Sequence, residues 1–127
     1  AEQGGHGRLI SREEAMDALE RSYGANLVQI GENVREYPAF ICNCCGCCCE
    51  ALQAARRFAP MQPVATTNYI PSVNMETCIG CGKCAKNCPA GAISGKIKSP
   101  YHINNDVCIK CGSCKDNCNF DAIYVEM

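Results

Sequence analysis

The sequence predicts an α+β protein with a small helical N-terminal part and a C-terminal part built from two copies of one unit. The C-terminal part is predicted from an internal repeat, because residues 78–93 align with residues 108–123 at an offset of 30. The N-terminal part is predicted from a helix signature that begins at Ser11. Residues 59–74 carry three prolines among small polar residues and are predicted to be an extended linker.

These observations divide the chain into residues 1–71 and 72–127. In the first part, Ser11 and Glu14 have the spacing of a capping box. An apolar stripe with helical spacing follows the cap, and residues 27–30 are predicted to be extended. The members of the stripe are Met16, Leu19 and Tyr23.

Composition limits the class of protein. Fourteen cysteines in 127 residues also occur in small secreted disulfide scaffolds, but those scaffolds spread their cysteines over loops, whereas here they form tight runs. Twelve basic and thirteen acidic residues give no basic surplus for nucleic acid. No segment approaches the ~20 apolar residues of a membrane span. Since no signal peptide is visible, we expect a cytoplasmic protein without a membrane span.

Eight cysteines form two copies of the spacing C-x2-C-x2-C-x3-C, which is typical of [4Fe–4S] ligation, and Pro89 completes the pattern in the first copy. Three thiolates at this interval come from a loop that wraps a cluster, and Gly80, Gly82 and Gly112 permit the tight turn. Tetrahedral zinc is the alternative, but it leaves surplus thiols in each run. The cysteines are Cys78, Cys81, Cys84 and Cys88, then Cys108, Cys111, Cys114 and Cys118.

With these runs, Pro89 and the pairs Ala92-Ile93 and Ala122-Ile123, residues 72–127 resemble the two-cluster bacterial-type ferredoxins. The resemblance implies a pseudo-two-fold dicluster fold in which the fourth cysteine of each run binds the other cluster. It therefore assigns two [4Fe–4S] clusters. Cluster I takes Cys78, Cys81, Cys84 and Cys118, and cluster II takes Cys108, Cys111, Cys114 and Cys88.

Two features depart from the family pattern. Asn119 stands where the second proline is expected, which removes no ligand. The loop from Ser94 to Val107 is longer than the repeat needs, and we expect a hairpin through Ser99-Pro100. His102 lies in this loop and is interpreted as a surface residue.

The other six cysteines fall within eight residues, where we expect the start of a helix running from about Cys47 to Arg57. The positive end of that helix favours thiolates and an anionic cluster. Three interpretations stay open: a third [4Fe–4S] cluster with spare thiols, a cluster of higher nuclearity, or a redox-switching thiol or zinc site. On a helix starting near Cys45, residues Cys45, Cys48 and Cys49 share one face. The candidate ligands are Cys42, Cys44, Cys45, Cys47, Cys48 and Cys49.

This segment also resembles one that precedes the ferredoxin module in dicluster [4Fe–4S] proteins of anaerobic microbes. The sequence as a whole predicts electron transfer, as a carrier or as the input module of a larger reductase, with a redox protein or reductase complex as partner. No nucleophile–base pair or nucleotide motif is present. One alternative is a reductase whose N-terminal cluster is the substrate site, and another is a redox or oxygen sensor.

Overall fold

The computed structural model describes residues 4–32, 34–58 and 67–126. Its first element is helix α1, Arg12–Gly24, and the predicted capping box is confirmed. Ser11 Oγ accepts from the Glu14 amide at 3.1 Å, and the Glu14 carboxylate accepts from the Ser11 amide at 2.9 Å. The predicted apolar stripe does not form a core, because α1 has no buried residue and Tyr23 is 56% exposed.

The six-cysteine segment begins in a strand. Strand β1, Val28–Gly31, pairs antiparallel with β2, Ile41–Cys44, so that Val28 faces Cys44 and Ile30 faces Cys42. The predicted extended piece is therefore confirmed and has a cysteine-bearing partner. Residues 45–48 form a turn, and helix α2, Glu50–Arg57, follows.

Helix α2 thus begins three residues later than predicted, with Cys49 as its N-cap. The reason lies in the preceding strand: pairing with β1 holds the chain extended through Cys44, and a turn is needed before the helix begins. Leu52 is fully buried and Ala55 is 2% exposed, so one face of α2 anchors the segment.

The C-terminal part contains two short sheets and two short helices. Strand β3, Ile70–Val73, pairs with the last strand, and β4, Ile93–Ser94, pairs with β5, His102–Ile103, both antiparallel. The β4–β5 pair is the hairpin predicted for the long loop. The remaining elements are α3, Lys83–Asn87; α4, Ser113–Asp116; and β6, Ile123–Glu126.

The predicted linker is wrong in its last part, because residues 70–73 form β3 and are held by β6. Its first two prolines, Pro60 and Pro63, lie outside the described residues. None of the helices in the described ranges combines the length and apolar character needed to cross a bilayer.

Hydrogen bonds in the C-terminal part repeat at the offset of the sequence repeat. The Asn74 amide donates to the Ala122 carbonyl and the Asn104 amide donates to the Ala92 carbonyl, both at 2.8 Å. Each of these bonds therefore joins one copy of the repeat to the other. The equivalent side chains Asn87 and Asn117 also hydrogen-bond to each other at 3.0 Å. Between the units lies a small core of buried residues: Ile93, Tyr101, Ile103, Cys114 and Ile123.

The end of α1 contacts this C-terminal part. Asn117 Nδ2 donates to Asn26 Oδ1 at 2.8 Å, and Asn26 Nδ2 donates to the Asn87 carbonyl at 3.5 Å. A hydrogen bond with Asp116 raises the pKa of Tyr23. These polar contacts join the segment that ends α1 to the C-terminal part.

Candidate metal centres

Two cavities in the C-terminal part are each lined by four cysteines. The empty space in them, counting the part that is open to solvent, is about 380 Å³ for the first and 320 Å³ for the second. Each takes three cysteines from one run and the fourth from the other, which are the sets that the ferredoxin resemblance implies. The first contains Cys78, Cys81, Cys84 and Cys118, and the second contains Cys88, Cys108, Cys111 and Cys114.

Backbone amides around the second cavity donate hydrogen bonds to two of its sulfurs. The Ala92 amide donates to Cys88 Sγ and the Lys110 amide donates to Cys108 Sγ, both at 3.3 Å. Such N–H···S bonds stabilise thiolates and tune the potential of a cluster. Asn119 accepts from Lys83 Nζ at 3.3 Å, which ties the turn after the second run to α3.

The first cysteine loop depends on a left-handed glycine. Gly80 has φ +70°, and a Cβ built there would lie 2.4 Å from both the amide nitrogen and the carbonyl oxygen of Ser99. The Lys98 amide donates to the Gly80 carbonyl at 3.0 Å. The long β4–β5 loop therefore packs directly on this cysteine loop. His102 is exposed on β5 and lines neither cavity.

The electrostatics of the second cavity fit a metal cluster. Burial raises the pKa of Cys114 to about 12, and the neighbouring sulfurs of Cys108, Cys111 and Cys88 add to the shift. Burial also raises the pKa of Cys84 in the first cavity and of Cys108 in the second. Thiolate ligands in such surroundings require cationic metal to offset desolvation and mutual repulsion. The donor sets of both cavities therefore suit an iron–sulfur cluster.

Residues 70–93 match the family model described as the 4Fe-4S binding domain. The match runs from β3 through the first cysteine run to β4. No curated protein matches the chain. Together with the cysteine clusters, the family match supports a metal-binding, ferredoxin-like iron–sulfur protein, and electron transfer as its general role.

The six N-terminal cysteines fall into two groups of three. The outer trio is Cys45, Cys47 and Cys48, whose sulfurs all lie within 4.8 Å of one another. Cys47 Sγ donates to Cys45 Sγ at 2.9 Å and lies 3.5 Å from Cys48 Sγ. The inner trio is Cys42, Cys44 and Cys49: a hydrogen bond with Cys49 raises the pKa of Cys44 to about 11, and Cys42 adds to the shift.

The shared face predicted for Cys45, Cys48 and Cys49 is wrong. Because α2 begins at Glu50, the first two lie on the preceding turn, and that turn brings Cys47 to them instead of Cys49. The backbone amide of Leu52, in the first turn of α2, lowers the pKa of Cys49. The predicted effect of a helix N-terminus on a thiolate therefore applies to Cys49.

Within the outer trio, one thiol is poised for ionisation. Hydrogen bonds from the Cys47 side chain and from the Cys48 and Cys47 amides lower the pKa of Cys45 to about 7. Cys47 is the donor, so its pKa is raised to about 11; the hydrogen bond with Cys45 is the larger cause and that with Cys48 the smaller. A thiolate at neutral pH is the form that binds soft metals.

The outer trio sits beside the second cavity. A Cβ built at Gly46 would lie 2.9 Å from the Pro89 carbonyl oxygen and 3.0 Å from its Cα, so the cysteine turn packs against the residue that follows Cys88. Sequence reasoning missed this contact, and it also missed Gln53, Arg56 and Arg57 as neighbours of Cys47. Their spacing of i, i+3 and i+4 on α2 was the available signal.

Proposed function

We propose that this protein transfers electrons through two [4Fe–4S] clusters held in a pseudo-two-fold dicluster ferredoxin fold. The observation that carries the proposal is the pair of four-cysteine cavities, each supplied by both runs. The repeated hydrogen bonds at an offset of 30 support the pseudo-symmetry. The ligands are those assigned above to cluster I and cluster II.

The six-cysteine segment holds a further iron–sulfur centre, which is the neighbour of cluster II. Support for this order comes from the packing of Gly46 on Pro89, one residue after the proposed cluster II ligand Cys88. Electrons then pass between the N-terminal centre and cluster I by way of cluster II. Cys81 and Cys111 are exposed, so each ferredoxin cluster has an edge near the surface for a redox partner.

The test is iron and sulfide quantitation on anaerobically purified full-length protein. The two ferredoxin clusters account for about eight irons, and iron beyond eight belongs to the N-terminal centre. In Cys88→Ala we expect the electron paramagnetic resonance signal of cluster II to change while that of cluster I persists. Zinc in place of iron, or an unchanged cluster II in this variant, would overturn the proposal.

A second function, a reductase with its substrate site at the N-terminal centre, is favoured by one observation. Two of the three cysteines of the outer trio, Cys47 and Cys48, are exposed, whereas each ferredoxin cavity has one exposed cysteine. A centre with exposed ligands beside an open pocket is accessible to a small molecule.

A further inference from the structure

An open pocket with about 700 Å³ of empty space, open solvent included, adjoins the outer trio. Its described lining is Gly46, Cys47, Gln53, Arg56 and Arg57, and none of these residues is acidic. Two arginines therefore line the pocket together with a cysteine of the candidate metal centre. Their charges favour an anion as the occupant of the pocket.

Helix α2 builds the wall of this pocket. Gln53 Nε2 donates to the Cys47 carbonyl at 3.0 Å, which fixes the helix to the cysteine turn. Arg56 and Arg57, one turn further along, are exposed, and neither forms an ion pair within the described ranges. Their position in the last turn also suits the helix dipole, but the dipole does not require them to line a pocket with Cys47.

The outer trio offers three sulfurs within 4.8 Å of one another, one fewer than a four-coordinate metal takes. The other three thiols of the segment form the inner trio, where Cys49 raises the pKa of Cys44. Among the described residues, Cys47 is the one cysteine that lines the pocket. A centre held by three protein ligands keeps a position for an exchangeable molecule, as catalytic metal sites do.

We propose that this pocket binds a small anion, such as a carboxylate or an inorganic oxyanion, as the exchangeable ligand of the outer-trio centre. The inference rests on the N-terminal centre of the proposed function and names the substrate class of its reductase form. Arginine recognises such anions with charge-assisted, often bidentate hydrogen bonds. The pocket includes a candidate metal ligand, Cys47, which favours a small molecule that can reach the metal over an acidic protein surface.

The test compares an anionic and a neutral probe on the full-length holoprotein at low ionic strength. Azide and carbon monoxide are titrated separately while the electron paramagnetic resonance spectrum of the N-terminal centre is recorded. In Arg56→Gln and Arg57→Gln we expect azide to bind about tenfold more weakly, as for loss of one charge-assisted hydrogen bond. Carbon monoxide binding should stay unchanged, because it gains nothing from the positive charge.

Two further variants serve as controls. Arg12→Gln removes the same charge from exposed helix α1 and should leave azide binding as in the wild type. Arg56→Lys keeps the charge and should recover part of the affinity. Two results would overturn the anion site alone. One is that the arginine variants bind azide and carbon monoxide equally more weakly. The other is that azide binding is unchanged in these variants while the protein contains more than eight irons. Protein with only eight irons overturns the site and the N-terminal centre together, while the two ferredoxin clusters stand.

Discussion

The two cysteine-rich regions differ in how their sulfurs are arranged. In the part of the chain that the structure describes, only the outer trio brings three potential ligand atoms within 4.8 Å of one another. The ferredoxin cysteines are spread around two cavities instead. Thiolates on one tetrahedral metal lie ~3.8 Å apart, given metal–sulfur bonds of ~2.3 Å. Thiolates on different irons of a cubane lie farther apart, so the outer trio would have to spread to hold the proposed iron–sulfur centre.

The regions also differ in what surrounds them. Cys84, Cys88, Cys108 and Cys118 pack against the apolar core of the C-terminal part, and Cys114 belongs to it. The outer trio lies on a surface turn that a neighbouring helix and Pro89 support. Metal bound in the C-terminal part would therefore be a component of the core, whereas metal bound by the outer trio would be attached to a segment that other contacts already hold.

The largest expected effect of this difference follows removal of iron. Anaerobic chelation should abolish the cooperative thermal transition of the C-terminal part, because its protein core is too small to fold alone. Far-ultraviolet circular dichroism during heating measures the effect. The triple variant Cys45→Ser, Cys47→Ser, Cys48→Ser serves as the control and should keep that transition. A cooperative transition in fully iron-free protein would contradict the distinction.

The next effect concerns the loop that wraps cluster I. Gly80→Ala should destabilise the holoprotein by about 2–4 kcal/mol, because both a positive φ and a backbone clash with Ser99 oppose the methyl group. Gly91 is a matched control: its φ is +66°, but the nearest atom to an added Cβ is Arg56 Nε at 3.8 Å. Gly91→Ala should cost only about 1 kcal/mol for the left-handed backbone. Equal thermal shifts in the two variants would exclude a role for the Ser99 contact.

A smaller effect is expected at the junction between the two regions. Gly46→Ala places a methyl group against the Pro89 backbone and should loosen the cysteine turn by about 1–2 kcal/mol. The magnetic interaction between the N-terminal centre and cluster II should weaken, which electron paramagnetic resonance of the reduced protein measures. Gly31→Ala is the control, because an added Cβ there meets nothing within 4 Å. The same weakening in both variants would argue against the proposed order of centres.

The same contrast explains what the sequence predicted. The repeat and its spacing predicted two related units, and the long loop predicted a hairpin, because local turn geometry determines these features. The six-cysteine segment has no such periodicity. Pairing of β2 with β1 and packing of Gly46 on Pro89 are contacts between distant parts of the chain. With these contacts, α2 begins later than predicted, and the close trio contains Cys47 in place of the predicted Cys49. The spacing of the cysteines alone did not predict either result.

The smallest effect tests how loosely the N-terminal helix is attached. Ser11→Ala removes the capping box of α1 and should destabilise that helix by about 1 kcal/mol. Because α1 buries no residue, the loss should increase amide hydrogen exchange within the helix and leave the thermal transition of the C-terminal part in place. Ser22→Ala is the control, since Ser22 Oγ donates only to the Ala18 carbonyl inside the same helix. A shift of the main transition in Ser11→Ala would mean that the contacts of Asn26 and Tyr23 couple α1 to the ferredoxin core more strongly than their polar character suggests.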